Sequence, residues 1–269
     1  MGVQELSQNG ARYMDHSITL FAVPRSFEGE IGTIQINAVE SWRRLKPRPE
    51  ILFMFISGRQ GVKEIAERYG CRLVTDVRRN EHGTPLVSDI FKKGQAAASH
   101  PIKGYINADI VLPPSFMGAI GRIGEHFDRF LMIGQRWDFY HPHPIDFSDE
   151  YWWMGFIKRA QKRGKLHSPT GVDYFIYGGW EYPRIPNFYL GCRAWDNWLV
   201  WYALRQGIPV IDVTQVVCAV HIGKTTTKPV TPEIEHNRHL ADQAGTWGRV
   251  NFATWALQPE HDYPGELFR

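Results

Sequence analysis

Unbroken apolar runs alternate with segments of helical period through the first 112 positions. Residues 18–23 (ITLFAV), 51–57 (ILFMFIS), 71–77 (CRLVTDV) and 105–112 (YINADIVL) form the apolar series. Runs of this length with little polar alternation predict strands buried on both faces. Between the first two lies 32–45, where Ile34, Ala38, Val39 and Trp42 fall near helical spacing. Its terminal Arg43, Arg44 and Lys46 suit the negative end of a helix, and Pro47 and Pro49 close it. A short helix over 61–69 is stopped by Gly70, and another over 88–99 carries Asp89 in its first turn. This alternation predicts βαβ units and an α/β fold: a Rossmann-like, mostly parallel sheet flanked by helices. Right-handed crossovers then bring the carboxyl ends of all four strands to one edge. Pro24, Arg25, Asp76, Asn107 and Asp109 are expected to converge there on a single crevice.

The second half is less regular. A fifth strand is expected over 130–135, a Pro/His-rich loop over 138–149, and an amphipathic helix with a basic end over 151–163. Residues 172–177 read as a strand and 194–206 as a helix with Trp195, Trp198, Leu199 and Tyr202 on one face. Residues 209–222 form two short strands or one bent strand, and the rest is polar until 250–257. No repeat, low-complexity tract or linker marks a boundary, so 17–269 is taken as one domain behind a polar leader, 1–16.

Charge adds exclusions. With 31 basic and 28 acidic residues the net charge is only +3, which is no global nucleic-acid signature. The small excess accords with anionic ligands or with peripheral contact at a membrane. No stretch reaches the roughly 20 apolar residues of a membrane span, and the amino terminus has no apolar secretory segment. Met1-Gly2 with Ser7 loosely resembles an acylation motif, with the serine one place late. Cys71, Cys192 and Cys218 are odd in number and widely spaced, so the expected compartment is a reducing cytoplasm. Aromatic content of 13%, ten Trp among it, supplies faces on which sugar rings can stack.

The chemistry centres on YINADIVL. In an extended segment Asn107 and Asp109 share a face, and Pro113-Pro114 end the run. A carboxylate at the carboxyl end of a buried strand is where open α/β sheets bind ligands, although it can also simply cap the following turn. Neither GxxxxGK[ST], GxGxxG nor GxSxG occurs. A phosphate bound here needs another source of positive charge, and a divalent ion on Asp109 is the natural one.

Four features in sequence order resemble the GT-A glycosyltransferases over about residues 18–222. They are Pro24-Arg25 after the first strand, Asn107-Ala108-Asp109 at the DxD position, Ala194-Trp195-Asp196 behind Gly191, and His221 ending an apolar strand. The resemblance implies a nucleoside diphosphate sugar donor, a glycan or other hydroxyl-bearing acceptor, and a Mn2+ or Mg2+ ion on Asp109 and His221. It also implies a nucleotide-sugar-binding half, 17–115, and an acceptor and catalytic half, 116–269. Arg25, Asp76, Pro24 and Asn107 become donor contacts, and Asp196 the catalytic base of an inverting transfer. Trp180 and Trp195 become acceptor contacts. Asn107 departs from the acidic motif and removes one charge. Asp196 can also act as a first-turn helix cap, and His221 as a hydrogen-bonded scaffold residue. A nucleotidyltransferase and a catalytically degenerate glycan-binding protein are the alternatives. Donor base, sugar, acceptor and oligomeric state are not fixed by the sequence.

Overall fold

The computed structural model describes residues 17–225, 229–243 and 248–259, together with the backbone of 267–268. The polar leader 1–16, with its Met1-Gly2 and Ser7, lies outside the described residues. The elements of the first half are β1 (Ile18–Ala22), α1 (Gly29–Arg43), β2 (Glu50–Met54), α2 (Val62–Tyr69), β3 (Arg72–Val74), α3 (Val87–Ala97), β4 (Ile102–Ile106) and β5 (Ile110–Val111). Then come α4 (Ser115–His126), β6 (Phe130–Ile133), β7 (Arg136–Asp138), α5 (Trp152–Arg163), β8 (Lys165–Leu166) and β9 (Tyr174–Gly178). The chain ends with α6 (Trp195–Arg205), β10 (Val210–Asp212), β11 (Ala219–His221), α7 (Pro232–Asp242), β12 (Trp255–Leu257) and β13 (Leu267–Phe268).

The main sheet has the order β13-β12-β10-β6-β9-β4-β1-β2-β3. It is mainly parallel, with β9 antiparallel to both β4 and β6 and β13 antiparallel to β12. Its central strands are apolar on both faces because helices cover both. Trp42 and Val39 of α1, Ala66 of α2 and Ile120 of α4 pack on one side. Phe91 of α3, Trp198 and Leu199 of α6 and Ala241 of α7 pack on the other. Thr19, buried within β1, is satisfied by donating to Glu50 Oε2 at 2.6 Å.

A smaller sheet, β5-β11-β7-β8, leans against the carboxyl edge of the main one. Val111 and Val220 of this sheet, with Ile222 just after β11, pack on Trp152, Phe156 and Ala160 of α5. This sheet corrects one expectation. Residues 105–112 are not one strand: β4 stops at Ile106, residues 107–109 turn, and β5 joins the second sheet. The Asn107 N–H makes the last bond in the β4–β9 register, donating to Asp173 O at 2.9 Å, and Ile110 N–H closes the turn on Asn107 O at 3.3 Å.

Two helices were not expected. In α4, glycines at 118, 121 and 124 lower the helical signal, and burial of Phe116, Ile120 and Ile123 overrides it. In α7 few positions are apolar, yet Thr231 caps the Ile234 N–H at 3.3 Å ahead of Pro232.

Candidate functional site

Parallel pairing of β1, β2, β3 and β4 delivers their carboxyl ends to one edge, where the second sheet adds side chains from the other half of the chain. The antiparallel register of β5 and β11 sets Ile110 opposite His221, and Ile222 N–H donates to Asp109 O at 3.1 Å. Asp109 Oδ2 thereby lies 3.3 Å from His221 Nε2. The parallel register of β7 and β11 sets Asp138 opposite His221, with Asp138 Oδ1 3.1 Å from His221 Nδ1.

Asp138 anchors a wider network. It accepts from Arg136 Nε at 2.9 Å and lies 2.6 Å from His167 Nδ1. Arg136 also pairs with Asp173, which is buried at the head of β9. Asp173 in turn accepts from the Asn107 amide, whose oxygen accepts from Tyr105 Oη at 2.8 Å. Burial would push the Asp138 carboxyl up, but His167, His221 and Arg136 together hold it well below the usual carboxylate range. Burial likewise opposes a charged His221, yet the hydrogen bonds its ring donates to Asp109 and Asp138 raise it to about 9. Burial would raise Asp109 too, and His221 outweighs that and lowers it.

Asp196 occupies the first turn of α6, after Ala194 in the left-handed region at φ 83. Burial pushes its carboxyl up and the charge on Asp173 adds to that, against the pull of neighbouring backbone N–H groups, so it reaches about 7.

Along the same edge toward β3, Pro24 is buried and Arg25 exposed. Gln35 of α1 fixes their loop by accepting from Arg25 N at 2.6 Å and donating to the Arg25 and Ser26 carbonyls at 3.2 Å. Arg59, half-buried, donates to Pro24 O, and Arg79 donates to Ser57 Oγ at 3.0 Å. Burial and the charges of Arg25 and Arg79 lower the Arg59 pKa. None of these three guanidinium groups pairs with a carboxylate among the described residues, so the cluster is suited to an anion. Asp76 follows β3 with φ 61, and Lys93 donates to its carbonyl. Beside it opens a cleft of about 690 Å³ between Val77, Arg79, Asn80 and Leu86.

The donor set fits a divalent ion that shares its ligands with a substrate. A Cβ on Gly223 would sit 3.1 Å from both Asp109 Oδ2 and His221 Nε2, so the glycine keeps the space in front of the pair open. Asp138 at Nδ1 fixes the imidazole and leaves Nε2 for a metal, as carboxylate–histidine pairs do. Among the described residues no group of three or more His, Cys, Asp or Glu side chains forms a metal cage. Two protein ligands completed by phosphate oxygens and water are the usual arrangement for a nucleotide-bound ion.

No family profile and no curated protein sequence matches the chain. Solved structures do. Glucosyl-3-phosphoglycerate synthase from Mycobacterium tuberculosis, in complex with Mn2+, UDP and glucosyl-3-phosphoglycerate, aligns at 13% identity with TM-score 0.47. That alignment covers 94% of this chain and 87% of the synthase. The mannosyltransferase PcManGT from Pyrobaculum calidifontis, in complex with GDP-Man and Mn2+, aligns at 12% identity over 83% of this chain and 68% of its own, with TM-score 0.46. The TarS fragment 1–349 of S. aureus matches at 12% identity and TM-score 0.37, over 45% of this chain and about a third (36%) of the fragment.

The structure gathers Pro24, Arg25, Asp76, Asn107, Asp109, Asp196 and His221 at one edge of the sheet; of the two expected aromatic contacts, Trp180 lies elsewhere and Trp195 is buried beside Asp196. Trp180 follows the carboxyl end of β9, and because β9 runs antiparallel to β4 this is the opposite edge. There its Nε1 donates to Phe130 O at 2.7 Å and its ring lies 4.5 Å from that of Tyr182. Trp195 is buried edge-on against Tyr105, with ring centres 5.4 Å apart, and presents no face to an acceptor. Asn107 is at the edge, but its side chain is occupied by Tyr105 and Asp173. Sequence reasoning missed Arg59, Arg136, Asp138, His167, Asp173 and Gly223. A period-two reading of Arg136-Trp137-Asp138 as a strand would have placed two of them on one face.

Proposed function

We propose that the chain is a GT-A glycosyltransferase that moves a sugar from a nucleoside diphosphate sugar to a hydroxyl acceptor. The observation that carries this reading is the Asp109–His221 pair, braced by Asp138 and left open by Gly223, beside an unpaired guanidinium cluster. Asp109 and His221 would hold Mn2+ or Mg2+, which when bound supplies positive charge to the diphosphate. Arg25, Arg59 and Arg79 would neutralise the donor from the other side, with its base and ribose in the cleft next to Asp76. The first half, 17–115, supplies this donor side, and 116–269 supplies the base and the acceptor side.

Asp196 would take the proton from the acceptor hydroxyl as its oxygen attacks the anomeric carbon and the bond to the diphosphate breaks. A carboxyl raised to about 7 is poised for that task near neutrality. One displacement of this kind inverts the anomeric centre. Free cysteines at 71 and 218 support a reducing cytoplasm. Among the described residues no helix is long and apolar enough to cross a membrane.

A thermal-shift panel of nucleoside diphosphates and their sugars, each with Mn2+, Mg2+ or chelator, tests the reading. Stabilisation by one nucleotide series, increased by metal and lost in Asp109→Ala, is the expected result. A flat panel would overturn it, as would release of pyrophosphate from a nucleoside triphosphate and a sugar phosphate.

A further inference from the structure

Helix α5 buries Trp152, Phe156 and Ala160 against the second sheet. Its outer face joins protruding apolar side chains to a row of cations. Tyr151, at its start, and Met154, one turn on, are 61% and 56% exposed. Lys158, Arg159, Lys162 and Arg163 continue along that exposed side, and Lys165 follows in β8, all of them exposed. From Tyr151 to Val172 there is no Asp or Glu, although the whole chain is nearly balanced at +3. None of the five cations pairs with a carboxylate among the described residues.

We propose that this face docks on the surface of an anionic lipid bilayer. Protruding apolar side chains next to a row of unpaired cations are the two components of a helix that lies in a membrane interface. The cations meet acidic headgroups, while Tyr151 and Met154 enter the boundary below them. A nucleic acid would use the charges and leave Met154 without a partner, so the lipid surface accounts for more of the face. The helix packs on β7 and β8, the strands that carry or adjoin Asp138 and His167, so docking brings the site close to the headgroups. Where the transferase reading holds, the acceptor is then a hydroxyl carried on a lipid. The docking itself does not depend on that reading.

Co-sedimentation of the full chain with phosphatidylcholine vesicles, with and without phosphatidylserine, tests it in the absence of any substrate. Binding is expected only to the anionic vesicles and should weaken with salt. Replacing Lys158, Arg159 and Lys162 by Gln together should lower the partition constant by on the order of a hundredfold. Tyr151→Ser with Met154→Ser should lower it while leaving the salt dependence in place. All these positions are exposed, and an unchanged melting temperature confirms that each variant is folded. Equal partition onto neutral and anionic vesicles would overturn the proposal. So would tighter binding to single-stranded RNA that ignores the Tyr151 and Met154 changes.

Discussion

Asp138 grips the Nδ1 side of His221 at 3.1 Å and leaves the Nε2 side facing Asp109. A residue from β7 thereby determines how a residue from β11 presents its imidazole to the turn after β4. Asp138→Asn should keep the fold and weaken Mn2+ binding by about ten- to a hundredfold, the usual cost of losing the partner of a ligating histidine. Calorimetric titration of Mn2+ in the presence of a nucleoside diphosphate checks this, and an unchanged affinity would remove Asp138 from the site.

Gly223→Ala should act at the same place by a different cause. The added methyl would stand 3.1 Å from both Asp109 Oδ2 and His221 Nε2, filling the space a shared ion needs. The expected outcome is a chain that melts normally in chelator and no longer gains stability from Mn2+ with nucleotide.

Asp196 gives a pH prediction with a defined sign. Its carboxyl is raised to about 7, so in the proposed role of base its loss of a proton should make kcat/KM rise with pH through about 7. Asp196→Asn should remove that limb and cost about a hundred- to ten-thousandfold in rate. For stability the raised value acts the other way. The protonated group favours the fold fully below the usual carboxylate range, and that contribution is lost as pH rises through about 7. Asp196→Asn should therefore melt higher than the parent above pH 7, with the difference shrinking toward acid.

Arg59→Gln separates affinity from stability. The half-buried guanidinium is repelled by Arg25 and Arg79, so removing it should leave the free protein as stable or slightly more so. Nucleoside diphosphate affinity should fall by about ten- to a hundredfold, the range for a hydrogen bond to a charged group. A larger effect on donor KM than on kcat would place Arg59 on the donor.

The first-half strands were legible because each is an apolar run closed by a polar or proline residue, and the strand ends alone place Pro24, Arg25, Asp76 and Asp109 along one edge. Asp138 and Asp173 were not legible because their partners are set by pairing across the chain: Asp138 meets His221 through the β7–β11 register, and Asp173 meets Asn107 where β9 lies on β4. Trp180 was misplaced for a related reason. A glycine-flanked Trp looks the same at either end of a strand, and nothing in 172–177 reveals that β9 runs backwards. For Trp195 the aromatic side chain itself was the misleading signal, since stacking faces serve a core as well as a ligand.

Strand β9 has a consequence for how the molecule can move and be cut. It comes from the later part of the chain, yet it is hydrogen-bonded on one side to β4 and on the other to β6. Residues before and after position 115 are therefore stitched into one continuous sheet with no seam between them. Opening and closing around a ligand must come from the loops at the edge, because a hinge between the halves would tear the central ladder. A fragment ending near residue 115 would expose the flank of β4 as a raw strand edge, and it should aggregate instead of folding as an independent nucleotide-binding unit.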